Sequence, residues 1–321
     1  MAALTFDGQS LGIATSRETP PLPPGEARIR LRLAGICQTD LEISRGYLQF
    51  KGVLGHEFVG DVVACSSPSL QGARVVGEIN CACQSCSFCN RGLYSHCSKR
   101  TVLGIHGRDG AFQDTFLLPE RNLHRVPDTI PDEHAVFTEP LAAACRIPEQ
   151  VEISPWLRVA VLGDGRLGLL CALVLAQKCH SVTLFGHHPG RIPLPIAVQE
   201  QPVPEQPLDP DSRFDLVVEA TGSPAGLEQA IGLVAPLGTL MLKTTSGAPH
   251  AAQLAPLVID EIKVVGSRCG PFHTALELME SGSLPLVSMI ADRFPLEEGL
   301  KGMKRAAEPG VLKVLLEGPS R

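Results

Sequence analysis

Short apolar segments alternate with helix-like segments through the second half of the chain. From about residue 158 the apolar segments are, in order, RVAVLG, SVTLFG, FDLVVEATG, GTLMLKTT and IKVVGS. Apolar strands separated by helices are typical of a parallel sheet whose two faces are both covered. The alternation therefore predicts a doubly wound α/β domain in this part of the chain.

The first third of the chain has a different pattern. EARIRLRLAGI alternates polar and apolar residues, and GDVVAC and ARVVGEI are short β-rich runs bounded by Gly and Pro. This pattern is typical of an antiparallel, barrel-like domain. In the second half, seven prolines fall between residues 187 and 213. Because proline interrupts helices and central strands, we expect one connection there to be short or irregular.

A glycine-rich loop follows the first apolar strand of the second half. Gly163, Gly165 and Gly168 form Gly-x-Gly-x-x-Gly, and Arg166 and Leu167 stand between the last two glycines. The motif lies between a strand and an apolar helix, which is the context in which such a loop binds a dinucleotide pyrophosphate. The alternative is a simple strand-to-helix turn. We expect all five residues to contact a nicotinamide dinucleotide.

The end of the next strand is where an NAD-binding domain usually carries an acidic residue for the ribose. Gly186 occupies that place, and His187, His188 and Arg191 follow it. Without a carboxylate to bind a 2′-hydroxyl or repel a 2′-phosphate, the sequence favours NADP over NAD. For each of the two histidines and the arginine taken singly, a solvated turn is the alternative.

Four cysteines lie close together in the first half of the chain. Cys83, Cys86, Cys89 and Cys97 have the spacing Cys-x2-Cys-x2-Cys-x7-Cys. Four thiolates on one short lobe can enclose a tetrahedral metal ion, and closed four-cysteine sites are structural zinc sites. Two disulfides are the alternative.

The cell compartment decides between zinc and disulfides. The sequence MAALTFDGQS has neither a basic segment nor an apolar core, and the most apolar long stretch is interrupted by Asp164 and Arg166. We therefore expect neither a signal peptide nor a membrane span, and a cytoplasmic location. Thiols remain reduced in that compartment, which favours zinc.

The charge of the chain indicates the kind of partner. The formal net charge is −6 and the isoelectric point is about 5.9, without a basic run. Nucleic acid is therefore not an expected partner, and small molecules are.

Three further segments contain candidate metal ligands. Cys37 lies in AGICQTDLE, His56 and Glu57 lie in GHEFVGDVV, and Glu139 lies in FTEPLAAAC. Cysteine, histidine and one of the two glutamates would form a mixed set of three ligands that leaves a fourth position open. Taken singly, each of these residues is more often structural.

These motifs, in this order, resemble those of the zinc-dependent medium-chain alcohol dehydrogenases along nearly the whole chain. Within that family the chain is similar to a shortened bacterial branch related to polyol and threonine dehydrogenases. The resemblance rests on the Cys37 segment, Gly-His-Glu at 55–57, the four cysteines, Glu-Pro at 139–140, the glycine loop, VVEATGS and LKVLLEG.

The resemblance implies a fold of two domains. A GroES-like antiparallel β-barrel catalytic domain would cover residues 1–147, and a Rossmann doubly wound parallel sheet would cover residues 148–267. Residues 268–321 would return to the catalytic domain, with the active site in the cleft. A homodimer or homotetramer is implied, paired through the edge strand IKVVGS.

The resemblance also implies roles for single residues. The catalytic zinc would be held by Cys37, His56 and Glu139, with Glu57 either coordinating directly or exchanging with Glu139. The structural zinc would be the second metal ion in each chain.

Four more roles follow from the same resemblance. Thr39 would relay the alcohol proton, and Asp40 would orient the ligand histidine. Glu42 would be the outer base, with a solvated glutamate as the alternative. Lys313 would contact the pyrophosphate.

The implied activity is zinc-dependent transfer of hydride between an alcohol or polyol, or the corresponding aldehyde or ketone, and a nicotinamide cofactor. Two alternatives remain from the sequence: a zinc-free reductase of the same superfamily, and a nucleotide-binding redox sensor without catalytic activity.

Overall fold

The computed structural model describes residues 2–18, 20–206, 208–245 and 252–319. The chain forms two compact units, one from Met1–Glu139 with Phe272–Arg321 and the other from Pro140–Pro271. The domain boundaries expected from the sequence, after residues 147 and 267, stay a prediction. The first unit is called unit 1 below and the second is called unit 2.

The N-terminal part of unit 1 consists mainly of strands. The longest, β3, buries alternate residues along most of its length, with Ala27, Ile29, Leu31 and Leu33 facing the core, as the alternating sequence predicts. The strands of this part are β1 (Ala3–Phe6), β2 (Leu11–Ala14), β3 (Glu26–Gly35), β4 (Gly52–Val53), β5 (Glu57–Ala64), β6 (Arg74–Gly77), β7 (Asn80–Cys81), β8 (Thr101–Leu103), β9 (Gly107–Arg108), β10 (Thr115–Pro119) and β11 (Leu123–Arg125). The helices are α1 (Gln38–Ser44), α2 (Ser87–Asn90) and α3 (Asp132–Ala135), and α4 (Thr138–Cys145) contains the boundary between the units.

Unit 2 is built on a six-stranded sheet in which every neighbouring pair is parallel. Its elements are α5 (Ile147–Gln150), β12 (Val159–Leu162), α6 (Arg166–Leu175), β13 (Val182–Gly186), β14 (Val198–Pro202), β15 (Phe214–Glu219), α7 (Pro224–Leu233), β16 (Val234–Leu242), α8 (Ala255–Ile259) and β17 (Lys263–Gly266). The spatial order is β14-β13-β12-β15-β16-β17, which is the strand order of a Rossmann domain. Such domains bind their ligand where the strand order reverses, beside β12.

The proline-rich segment is irregular, as the sequence predicts. It contains the edge strand β14 but no α-helix among described residues 187–206 and 208–213. The sequence did not predict β14, because Gln199, Glu200 and Gln201 give it no apolar alternation. Polar residues are tolerated there because β14 pairs with a neighbour on one side, β13.

The C-terminal segment completes unit 1 with α9 (Phe272–Glu280), β18 (Ile290–Pro295), α10 (Gly299–Ala306) and β19 (Lys313–Glu317). Strand β19 pairs with β3, and the sheet order is β11-β6-β5-β3-β19-β18, with β10 also paired to β3. The first and last strands of the chain's primary sequence therefore contribute to one unit. No helix in the described part of the chain is long and apolar enough to cross a membrane.

Candidate active site and metal centres

Cys37, His56 and Glu57 lie together in unit 1. Their ligand atoms are all within 4.8 Å of one another. Cys37 is the residue before α1, and Glu57 begins β5. The antiparallel pairing of β3 with β5 sets Gly35 opposite Glu57, so the chain that leaves β3 brings Cys37 to the same point. Two segments about twenty residues apart thus form one mixed sulfur, nitrogen and oxygen site.

Asp40 fixes the geometry of this group, which is called the catalytic metal group below. Its carboxylate is fully buried and accepts backbone hydrogen bonds from Cys37 (2.8 Å) and Gly55 (3.1 Å). The same carboxylate lies 3.3 Å from Nδ1 of His56. This contact is electrostatic, because Nδ1 has no hydrogen-bond partner among the described residues. Because Nδ1 faces Asp40, Nε2 is the nitrogen available to a metal ion.

The electrostatics of the group suit a cation. Burial disfavours a charged His56 ring, but the negative charges of Asp40 and Cys37 outweigh it and raise the pKa of His56 well above its ordinary value. A metal ion at Nε2 would take the place of the added proton, since a histidine ligand must be neutral. The mixed donor set and this negative surrounding both fit zinc.

Glu57 forms a buried ion pair with Lys313. Its Oε2 accepts a hydrogen bond of 2.5 Å from Lys313 Nζ, and the two side chains are 1% and 2% exposed. The ammonium group also lies 5.6 Å from the centre of the Phe137 ring. This placement differs from the expected contact of Lys313 with the pyrophosphate. The reason is that β19 pairs with β3 beside Gly35, which itself faces Glu57.

Glu139 lies in the first turn of α4 and is half-buried. It does not belong to the catalytic metal group. Of the two glutamates that the sequence left open, the structure places Glu57 beside Cys37 and His56.

Two residues of α1 were predicted to move a proton. The Cys37 thiol lies 3.8 Å from the Thr39 hydroxyl, so this hydroxyl borders the catalytic metal group. Glu42 lies one turn further along, where its carboxylate accepts hydrogen bonds of 2.9 Å from Gln38 and Arg45. Glu42 is thus held in surface interactions.

The four predicted structural ligands form a second group. Cys83, Cys86, Cys89 and Cys97 have all sulfur atoms within 4.8 Å of one another, and three of the pairs are 3.5–3.9 Å apart. Sulfur atoms bound to one zinc ion at about 2.3 Å in a tetrahedron are about 3.8 Å apart. All the cysteines are free thiols, so the disulfide alternative is not supported. This set is called the cysteine lobe below.

Local hydrogen bonds prepare part of the cysteine lobe for a cation. Backbone amides, first that of Cys89, lower the pKa of the Cys86 thiol to about 5. Hydrogen bonds from Ser85, first from its hydroxyl, lower the pKa of Cys83 to about 7. Burial raises the pKa of Cys89 to about 11. Some of the thiols therefore ionise readily, and a metal ion would ionise the others.

In the glycine loop of unit 2, each glycine lacks a side chain for a different steric reason. Gly163 has φ +113°, which L-residues with side chains rarely adopt. A Cβ atom on Gly168 would lie 1.8 Å from the carbonyl oxygen of Gly163, so α6 packs directly on the loop. A Cβ on Gly165 would meet nothing within 4 Å. Gly165 precedes Arg166 and Leu167, the first residues of α6, and leaves room for a pyrophosphate at the helix N-terminus.

The end of β13 differs from what the sequence indicated. The carboxylate of Asp164 lies against Gly186, and its Oδ2 accepts a 2.5 Å hydrogen bond from the backbone of His188. Arg191 donates a 3.0 Å bond to the Asp164 carbonyl oxygen, and His187 is exposed. A carboxylate does stand at this strand end, so the sequence-based expectation that none is present is wrong. A glycine at the strand end, with an acidic residue inside the preceding glycine loop, is the signal that could have revealed it.

Comparisons with known proteins agree with this geometry. Residues 23–128 match the family model of the alcohol dehydrogenase GroES-like domain. An erythritol/L-threitol dehydrogenase from Mycolicibacterium smegmatis is 30% identical over 322 residues, covering 90% of this chain and 89% of that protein. A D-altritol 5-dehydrogenase from Agrobacterium fabrum is 28% identical and covers 98% of both proteins. Among solved structures, alcohol dehydrogenase TADH from Thermus sp. ATN1 has a TM-score of 0.88 at 27% identity, covering 99% of this chain and 100% of that one.

A GroES-like unit with a thiol, an imidazole and a carboxylate at one point, joined to a Rossmann sheet, defines a class of nicotinamide-dependent oxidoreductases. The chain belongs to the zinc-dependent medium-chain alcohol dehydrogenases. It is an enzyme that transfers hydride between an alcohol and the corresponding carbonyl compound, with NAD or NADP. This result favours the dehydrogenase over the redox sensor and the zinc-free reductase.

Proposed function

We propose that the enzyme oxidises a hydroxyl group of a small sugar alcohol, or reduces the corresponding carbonyl group. The observation that carries the proposal is the catalytic metal group of Cys37, His56 and Glu57, in a chain whose similar relatives are named as erythritol/L-threitol and altritol dehydrogenases. Each chain would bind two zinc ions, one in this group and one in the cysteine lobe. Glu139 remains the alternative third ligand.

The residues around the catalytic metal group would each have a separate task. Zinc bound there would supply a Lewis acid that lowers the pKa of an alcohol hydroxyl. Thr39, whose hydroxyl borders Cys37 at 3.8 Å, would accept the alcohol proton and pass it on. Asp40 would hold His56 in one ring orientation and one tautomer. Lys313 would hold the Glu57 carboxylate in place through their hydrogen bond.

Unit 2 would bind the cofactor through the glycine loop. The N-terminus of α6 and the open side of Gly165 offer backbone donors and space for the pyrophosphate. The sequence favours NADP because Gly186 offers no carboxylate of its own, and the expected phosphate ligands were His187, His188 and Arg191. His188 and Arg191 contact Asp164, and His187 is exposed.

We also propose a homodimer or homotetramer in the cytoplasm. Strand β17 lies at the edge of the unit 2 sheet, and Val264 on it is 47% exposed. An apolar strand edge of this kind is protected when a second copy pairs with it.

The test is oxidation by zinc-loaded enzyme of a panel containing erythritol, threitol, altritol, ethanol and 2-propanol, with NAD and with NADP. We expect kcat/KM to be highest for a sugar alcohol and turnover to be lost on removal of zinc. A preference for simple alcohols would contradict the proposed substrate class, and full activity without metal would contradict the mechanism.

A further inference from the structure

The side chain of Asp164 occupies the space that a side chain at position 186 would need. A Cβ atom on Gly186 would lie 2.4 Å from both Cβ and Cγ of Asp164 and 2.5 Å from its Oδ2. Gly186 can therefore not carry a side chain unless Asp164 moves. The glycine at the end of β13 makes room for a carboxylate that comes from the glycine loop.

Neighbouring groups hold this carboxylate in place. Oδ2 accepts the 2.5 Å hydrogen bond from the His188 backbone and lies 3.3 Å from His188 Nδ1. Oδ1 lies 4.0 Å from Nη1 of Arg191, which is beyond hydrogen-bond distance. The Asp164 side chain is 12% exposed. It is fixed at the end of the strand by the turn that follows it.

We propose that Asp164 is the acceptor for the adenosine ribose and makes the enzyme prefer NAD, which is the reverse of what the sequence predicts. The inference rests on the proposed use of a nicotinamide dinucleotide by this enzyme. A carboxylate at the end of the second strand of a Rossmann sheet binds the 2′-hydroxyl of NAD. The Asp164 carboxylate stands at that strand end although its Cα belongs to the loop after β12.

The same carboxylate disfavours the 2′-phosphate of NADP. A phosphate at this point would meet a negative charge at close range, and the two groups would repel each other. Arg191, which was expected to bind the phosphate, already donates to the Asp164 carbonyl oxygen and lies near its carboxylate. The positive charge of Arg191 is thus partly compensated before any cofactor binds.

A second interpretation makes the opposite prediction. If Asp164 served to position Arg191 and His188 for a phosphate, its removal would weaken the binding of NADP. The two interpretations differ in the sign of the effect of one substitution, Asp164→Asn, which keeps the size of the side chain and removes its charge.

The experiment measures binding of ADP-ribose and 2′-phospho-ADP-ribose to the purified full-length enzyme by isothermal titration calorimetry. Neither ligand has a nicotinamide, so the result does not depend on zinc or turnover. We expect the wild-type enzyme to bind ADP-ribose at least about tenfold more tightly than 2′-phospho-ADP-ribose. Asp164→Asn should reduce this ratio of affinities about tenfold. Asp164→Ser, with a smaller side chain, should reduce it as well.

Glu200→Gln is the matched control. The Glu200 carboxylate, on β14, accepts hydrogen bonds from the backbone N–H of Gly190, which follows His188 in the chain. This variant therefore loses one negative charge nearby without changing Asp164. The ratio should stay as in the wild type. Folding of each variant is verified by its melting temperature.

The proposal is overturned if the wild type binds the phosphorylated ligand as tightly as ADP-ribose or more tightly, or binds neither. It is also overturned if a folded Asp164 variant keeps the wild-type ratio. These outcomes are separate from failure of the proposed function, which would appear as absent oxidation of sugar alcohols by zinc-loaded enzyme.

Discussion

The ammonium group of Lys313 lies 2.5 Å from the carboxylate of Glu57, although the two residues are 256 positions apart in the chain. Both side chains are almost completely buried. The pair therefore connects the last strand, β19, to the catalytic metal group at the start of β5.

Changing Lys313 to Met should destabilise the metal-free enzyme by about 3–5 kcal/mol, because it leaves a buried carboxylate without its partner. The measurement is urea denaturation after removal of metal. The double variant Lys313→Met with Glu57→Gln should regain part of the loss. Lys301→Met is the control, since Lys301 pairs with Glu298 at an exposed position and should cost about 0–1 kcal/mol. Equal losses of stability in Lys313→Met and Lys301→Met would show that the buried pair contributes no more to the free energy of unfolding than the exposed pair.

Changing Cys37 to Ala should abolish turnover and lower the zinc content from two ions per chain to one, because the cysteine lobe uses other ligands. Elemental analysis and kcat measured on the same sample check both parts. Cys65→Ala is the control, since Cys65 belongs to neither group of ligands. Retention of two zinc ions and of activity by Cys37→Ala would remove Cys37 from the site.

Changing Cys97 to Ser should remove the other zinc ion and lower the melting temperature. Bound metal stabilises the folded lobe, because the unfolded chain does not offer the preformed site. Cys97 is fully buried and its sulfur lies 3.7 Å from that of Cys86. Differential scanning calorimetry measures the melting temperature and a zinc assay measures the metal content. Cys65→Ser is the matched control. If the Cys97 variant binds two zinc ions with an unchanged melting temperature, the lobe is not a metal site.

Changing Asp40 to Asn should weaken zinc binding at the catalytic metal group about 10–100-fold. Both oxygens of Asp40 accept backbone N–H groups, those of Cys37 and Gly55, whereas an asparagine amide has one oxygen. One of these contacts is lost, together with the negative charge beside His56. Competition with a zinc-binding dye measures the affinity. Asp109→Asn is the control, because Asp109 also accepts from a backbone amide, that of Val53, outside the group. An affinity equal in the two variants would contradict a positioning role for Asp40.

Changing Ile259 to Glu should dissociate the proposed oligomer. Ile259 is 77% exposed in α8, beside β17 in the chain, and Val258 is 75% exposed next to it. Burying a new charge at an apolar contact is unfavourable. Multi-angle light scattering at micromolar concentration should give a multiple of the chain mass for the wild type and a smaller particle for the variant. Ile196→Glu, on a fully exposed residue before β14 at the other sheet edge, should leave the wild-type mass unchanged. A monomeric wild type would contradict the assembly.

Local patterns in the sequence predicted most of the fold, and they pointed to the candidate ligands that the structure brings together in two clusters. The alternation of residues in β3 and the spacing of the glycines after β12 are patterns within short segments. The structure has the strand and the loop-to-helix turn that these patterns predict. The contacts of Lys313 and Asp164 were not predictable in the same way. The contact of Lys313 with Glu57 depends on which strand β19 pairs with. The contact of Asp164 with Gly186 depends on the direction of one side chain in a loop. Neither leaves a periodic signal, because each is decided by tertiary packing.

The pairing of β19 with β3 also determines an order of events during synthesis. Unit 2 is one continuous segment, Pro140–Pro271, so its sheet can close while later residues are still being added, as domains do on the ribosome. Unit 1 cannot close at that stage, because β19, a partner of β3, and Lys313, the cation for Glu57, follow unit 2 in the chain. The ligands Cys37, His56 and Glu57 therefore exist long before their surroundings are complete. A metal ion bound at this group would acquire its complete surroundings only after β19 has been made.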